Sequence, residues 1–320
     1  VRRTLWLAIS RARERTGEYV RRGKVAGRAI AGGQDRSALM GVALMMLVSA
    51  LMAVDSVLVR LLSDSVHPFV MGFTRARFGL LAVAPWLLAK RGILQTEYRF
   101  RHFLRAVLKL AALVSFFYAF ALASLADVTA IAFTSPIFVT IGAWMFLGER
   151  LVALRIVAVA IGFAGVVFVL RPGQETGIPV GLLFALSGAV LVAAIQLILK
   201  PMTAKDSSDT LVAWNLILMV PIAAVPALFV WVTPSAYEWG ILAIQGALGA
   251  LSMALATKAF SLADASLITP FDFLRLPFVA VLGFVIFAQT VPVTTWVGGA
   301  VIFVATLLMA RSARRRVLSQ

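Results

Sequence analysis

Asp55, Arg75, Asp272 and Arg275 stand inside long apolar runs, where their side-chain chemistry is costly to keep. An ionisable group in hydrocarbon costs about 2.5–3.5 kcal/mol on insertion scales, so each must be paired, hydrated or used. Asp55 and Arg75 fall in successive runs, roughly 6 Å and 9 Å from the same end at 1.5 Å per helical residue. That match in depth lets them meet across neighbouring helices. Either the pair is neutralised and only fixes packing, or it forms a ligand site in which the planar fork of Arg75 holds a carboxylate or other anion. Arg77, two residues on, points about 200° away along a helix and snorkels or packs elsewhere. Asp272 and Arg275 are three residues apart and share one helical face. Either they neutralise each other within the helix, or Asp272 carries a proton or reads a cationic group. Lys109 lies at nearly the same depth as Asp272 and offers it a second partner.

Other polar groups in the apolar runs complete the candidate binding set: Tyr118, Trp214, Asn215 and Gln196. Each can serve an interhelical contact or touch a substrate. Thr134-Ser135-Pro136 and Pro270 mark bends, because proline removes a helix hydrogen bond and frees a carbonyl. Ser135, Pro136 and Pro270 are therefore either packing kinks or parts of a gate.

These residues need an apolar scaffold, and the composition supplies one. The chain is 61% hydrophobic and only 14% charged, against about 25% charged in a soluble domain, with mean hydropathy +0.96. Ten stretches approach the roughly 20 residues that span hydrocarbon as a helix: about 39–59, 69–89, 105–124, 128–147, 152–170, 178–199, 211–232, 239–258, 265–288 and 292–310. Backbone groups in lipid must pair internally, and runs this long read as helices rather than barrel strands. The expected fold class is an all-α membrane protein. Lys and Arg fix its orientation. Ten precede residue 39, five lie between 90 and 105, and four follow residue 310. Arg150, Arg155, Lys200, Lys205 and Lys258 fall on the same side, which leaves Arg60 and Arg171 in the opposite loops. Both termini are thus expected in the cytoplasm, and the net charge of +16 reads as a topology signal that meets lipid headgroups rather than nucleic acid.

The chemistry of other classes is missing. With no cysteine, thiolate metal sites and disulfides are excluded. The two histidines, His67 and His102, are expected in loops, so no metal site is expected. No phosphate-binding loop is present; Gly23-Lys24-Val25 has the wrong spacing and no hydroxyl after the lysine. No cofactor and no enzymatic activity are expected.

The two halves resemble each other. Ala53–Arg60 aligns with Ala193–Lys200, and Phe146-Leu147-Gly148-Glu149 with Ile286-Phe287-Ala288-Gln289, both at an offset of 140. Ser124-Leu125-Ala126-Asp127 matches Ser261-Leu262-Ala263-Asp264 at 137, which implies a three-residue indel. Five spans per half is an odd number, so the second half enters from the other side. The expectation is ten helices as two inverted five-helix repeats, a plan that places a site near the midplane. The expected divisions are a basic cytoplasmic tail over 1–38, repeats over 39–173 and 174–310, and a basic tail over 311–320. A cavity lined by spans one to four and six to nine follows, with spans five and ten supporting the outside.

At Phe146-Leu147-Gly148-Glu149-Arg150, Gly162-Phe163-Ala164-Gly165-Val166 and Leu170-Arg171-Pro172-Gly173 the sequence resembles the drug/metabolite transporter superfamily in its EamA-domain form. Leu125-Ala126-Asp127 through Ser135-Pro136 fits as well. Pro270-Phe271-Asp272-Phe273-Leu274-Arg275-Leu276, with Asp55, Arg60 and Arg75, looks like the branch that includes bacterial S-adenosylmethionine and riboflavin importers. The sequence departs at Ala288-Gln289, where the family often has Gly-Glu, and at Ala76, where a polar residue often follows the arginine. The resemblance implies secondary transport of a small nucleoside-like, vitamin or amino-acid-like metabolite across the bacterial inner membrane by alternating access. A coupling proton or counter-substrate is the implied partner. Export of an amino acid or drug by the same superfamily is the alternative.

Overall fold

The structure, a computed structural model, describes residues 37–89, 93–148, 153–171, 178–263 and 265–317. Most of the expected N-terminal tail, Glu149-Arg150, Pro172-Gly173 and Asp264 lie outside the described residues. Within them the chain is all-helical, with no strand. The elements are α1 (Ser37–Leu62), α2 (Pro68–Ala89), α3 (Arg99–Leu122), α4 (Leu125–Ala132), α5 (Ser135–Leu147), α6 (Ala153–Leu170), α7 (Val180–Met202), α8 (Ser208–Phe229), α9 (Ala236–Leu262), α10 (Ala265–Asp272), α11 (Arg275–Phe287) and α12 (Val293–Val317).

Eight helical stretches among the described residues are long and apolar enough to cross a membrane, and Val293–Met309 is a shorter apolar one. α2 falls outside that set, its hydropathy lowered by Arg75 and Arg77. The expected fourth and ninth spans are each two helices. α4 stops at Ala132 and α5 resumes at Ser135; α10 stops at Asp272 and α11 resumes at Arg275. Hydroxyls add to the pairing of carbonyls at the breaks, as suits a lipid-embedded backbone. Thr134 Oγ1 donates to the Ile131 carbonyl at 2.7 Å and Ser135 Oγ to that of Ala132 at 3.0 Å. At the second break Ser49 of α1 donates to the Phe271 carbonyl at 3.0 Å.

The boundaries of α2, α4 and α5 recur in α8, α10 and α11 shifted by 140 residues, which fits an inverted repeat. This overturns the three-residue indel. Ser124 caps α4, accepting from the Asp127 amide, whereas Ser261 lies within α9. The two serines hold different structural positions. The helix ends confirm the 140 register in the backbone: the residues closing α5 and α11, Gly148 and Ala288, are both left-handed, at φ 64° and 53°.

α3 begins at Arg99, earlier than the apolar run alone indicates, so His102 lies in a helix and not in a loop. Its first turns mix arginine with phenylalanine, which a hydropathy threshold reads as polar. His102 is buried and bonds Asp206 at 2.9 Å, and Thr96 donates to the same carboxylate at 2.8 Å. These bonds join the α2–α3 and α7–α8 connections at the end of the bundle where α1 begins. Nearby, Lys205 donates to Glu97 at 2.7 Å in an exposed bridge, and that bond raises the lysine above its ordinary pKa. At the opposite end Arg171 donates to both carboxylate oxygens of Asp127, at 2.8 and 3.0 Å, and to Thr295 at 2.8 Å. Arg60 donates to the Phe120 carbonyl at 2.8 Å, at the carbonyl end of α3, where a cation is favoured.

α6 and α12 pack directly on one another. A Cβ on Gly298 would sit 2.7 Å from the Gly165 carbonyl oxygen, and one on Gly165 would sit 2.9 Å from that of Gly298. Small residues here let two backbones approach.

Candidate functional site

The breaks in α4–α5 and α10–α11 face each other across the middle of the bundle. Phe133 and Phe273, the first residue of each break, stack with ring centroids 4.2 Å apart and planes 23° from parallel. Beside them lies a cavity of about 360 Å³, within the size range of small-molecule sites. Its walls come from α1 (Met52, Asp55, Ser56), α2 (Arg75), α3 (Leu113, Phe116, Phe117, Phe120), α7 (Val192, Gln196) and α12 (Thr306). The two breaks supply Ala132, Phe133, Ser135, Pro136, Asp272, Phe273 and Arg275.

Much of this lining is paired at the 140 register: Met52 with Val192, Ser56 with Gln196, Ala132 with Asp272, Phe133 with Phe273, and Ser135 with Arg275. The cavity therefore sits where the two halves meet. The charges break the pseudo-symmetry, because Ala132 and Ser135 in the first half stand where Asp272 and Arg275 stand in the second.

Of the residues expected at a site, Asp55, Arg75, Gln196, Ser135, Pro136, Asp272 and Arg275 line this one cavity. Arg75 donates through Nη1 to the Asp55 carboxylate, so the expected interhelical pair is formed. Arg77 is exposed, on another face of α2. Asp272 and Arg275 do not pair; the break separates them, and no ion pair joins them among the described residues. Instead the Arg275 guanidinium lies over the Phe133 ring, with Cζ 4.9 Å from the centroid. Among the described residues no ion pair or hydrogen bond joins Lys109 to Asp272. Lys109 is exposed on the same face of α3 as Leu113 and Phe116, and the charges acting on it are Arg75 and Arg105.

The other expected residues do not line the cavity. Tyr118 bonds His67 at 3.1 Å and stacks on Phe184. Trp214 donates to the Leu94 carbonyl at 3.2 Å and stacks on His102. Asn215 is buried on α8 although it aligns with Arg75. Pro270 sits within α10, one helical turn ahead of the break. The lining also departs from the expected set of spans. α8 and α9 contribute nothing, because α2 packs against both and carries Arg75 on its cavity side. α12, expected outside, contributes Thr306.

Sequence reasoning missed the aromatic wall from α3 and the Phe133–Phe273 stack, since phenylalanine in an apolar run carries no signal. It also missed Gly249 of α9, where a Cβ would sit 2.9 Å from Arg75 Nη2. In the sequence Gln289 stands out only as the repeat partner of Glu149 and as a departure from the family pattern. Its carbonyl accepts from the Leu125 amide at 3.1 Å, capping the start of α4 from the other half.

A mid-bundle cavity between two pseudo-symmetric helix sets, floored by broken helices and lined with charge, is the anatomy of a membrane carrier for small solutes. The chain belongs to the EamA-like transporter family, whose model matches it twice, over residues 39–171 and 179–311. It is 30% identical to an S-adenosylmethionine uptake transporter of Rickettsia bellii, over 82% of this chain and 90% of that protein. It is 32% identical to a riboflavin transporter of Rhizobium johnstonii, over 70% of this chain and 74% of that one. A pseudopaline exporter of Pseudomonas aeruginosa matches at 26% over 86% of this chain and 97% of the exporter. A solved crystal structure shares the fold with a TM-score of 0.58 at 17% identity, covering 88% of this chain and 98% of that one.

Proposed function

We propose that the chain is a secondary carrier that moves a small nucleoside-like, vitamin or amino-acid-like metabolite across the bacterial inner membrane by alternating access. Its ten crossings form two five-crossing repeats of opposite sense, over 39–173 and 174–310, with both termini in the cytoplasm. The observation that carries this reading is the cavity on the pseudo-symmetry axis, with its paired lining and one-sided charges. The basic residues support the orientation.

Inverted repeats supply a mechanism. α4 packs against α11 at the end where α1 finishes, with Leu125 and Val279 in one buried cluster and Gln289 capping α4. The symmetry-related pair, α5 and α10, makes no packing of similar extent among the described residues. One of two equivalent contacts is formed, so the conformation is closed toward the outside. Exchange of the α4–α11 contact for an α5–α10 contact opens the other face. A proton or counter-substrate with different affinity for the two states biases that exchange.

Uptake is favoured by the relatives named as S-adenosylmethionine uptake transporters, and the exporter relative keeps efflux as the second reading. Reconstituted protein in vesicles, offered labelled nucleosides, vitamins and amino acids, tests both. Flux above that of empty vesicles for one class is expected, and no flux for any class sinks the proposal.

A further inference from the structure

The charged side chains of the cavity are not in the same condition. Arg75 is occupied by Asp55. Asp272 and Arg275 line the same space, and among the described residues neither side chain has a hydrogen bond or ion pair. Arg275 Nε is buried without a partner, and its Cζ lies 4.9 Å from the Phe133 ring centroid.

Their placement opposes helix stability. Asp272 is the last residue of α10, at its negative end, and Arg275 the first of α11, at its positive end. Helices favour the reverse arrangement. Each charge therefore reinforces the local backbone potential, giving a negative patch and a positive patch on the two sides of a two-residue break. A neutral ligand would bury both charges unpaired, and a singly charged one would leave the other unpaired, each at a desolvation cost. A zwitterion answers both.

We propose that Asp272 and Arg275 form a clamp for an α-amino-acid head group. Asp272 accepts from the ammonium and Arg275 donates to the carboxylate. The phenylalanines Phe116, Phe120 and Phe273 receive the rest of the substrate, which this assigns to an amino acid bearing a flat ring system. Arg75 holds Asp55 in place and is a positioning residue. The clamp rests on the carrier reading and narrows it.

Binding calorimetry on the purified full-length chain tests it, with S-adenosylmethionine, its decarboxylated form, its N-acetyl form and riboflavin as probes. S-adenosylmethionine is expected to bind at least tenfold more tightly than either modified form. Arg275→Gln should abolish the preference over the decarboxylated form alone, and Asp272→Asn the preference over the N-acetyl form alone. Binding of all three nucleoside compounds within threefold, or of riboflavin in their place, overturns the clamp while vesicle flux keeps the carrier standing. Binding of none of the probes also overturns the clamp, and absence of flux for every metabolite class separately removes the carrier. The wild-type comparison decides without the variants, should either fail to fold.

Discussion

Arg75 and Arg77 are chemically identical and two residues apart, yet their surroundings predict opposite tolerance. Arg75 is paired with Asp55 at the cavity wall, with side-chain exposures of 15% and 10%, and Gly249 leaves room for it. Arg77 is exposed. Arg75→Ala should lower flux more than tenfold, whereas Arg77→Ala should stay within twofold, as measured in vesicles with equal protein. Equal tolerance would remove Arg75 from the site. Ala288 makes a second residue-scale test. It holds φ 53°, a conformation that costs an L-residue roughly 1–2 kcal/mol relative to glycine. It is also exposed, so added freedom disturbs no packing. Ala288→Gly should raise the thermal midpoint in detergent, though glycine's extra unfolded-state entropy offsets part of the gain; a fall would deny the strain. At this scale the charges were legible, because the expense of charge in an apolar run marks it as used. Tyr118 and Asn215 were not, because a polar group on a helix does not announce which neighbour it faces.

The helices are held by close backbone approach as much as by apolar area. Gly298 and Gly240 separate the two effects. A Cβ on Gly298 meets the Gly165 carbonyl and, at 2.5 Å, a methyl of Val169; one on Gly240 meets nothing within 4 Å. Gly298→Ala should cost about 1–3 kcal/mol through overpacking, and Gly240→Ala should gain up to about 1 kcal/mol in helix propensity. Unfolding of the two variants side by side checks the signs, and matching shifts would contradict the packing. Element existence was legible from twenty-residue apolar runs, and Pro136 marked the first break. The second was harder to place: Pro270 precedes its break by a turn, and Ser49, which stabilises it, sits on another helix. Detail at the end where α3 begins was lost for a different reason. The basic and aromatic first turns of α3 fail a hydropathy test although they are helical and bury His102.

At the scale of the whole molecule, the two repeats account for the cavity and, in the proposed mechanism, for the means of switching it. The 140 offset was readable in the sequence and recurs in the helix boundaries, while the competing match at 137 shows how a short string can mimic homology in a composition rich in Ala, Leu and Ser. Which helices face the centre was not readable, because α2 interposes itself between the cavity and α8 and α9. The chain has no cysteine, so one placed at Gln196 on the cavity wall reports access without background. The most direct test is labelling of Gln196→Cys by a membrane-impermeant thiol reagent added to one face of the membrane at a time, in right-side-out and inverted vesicles. The account predicts reaction from both faces, with a transported substrate slowing it and shifting the balance between them. Reaction from one face only, unchanged by every metabolite that binds, would contradict alternating access through this cavity.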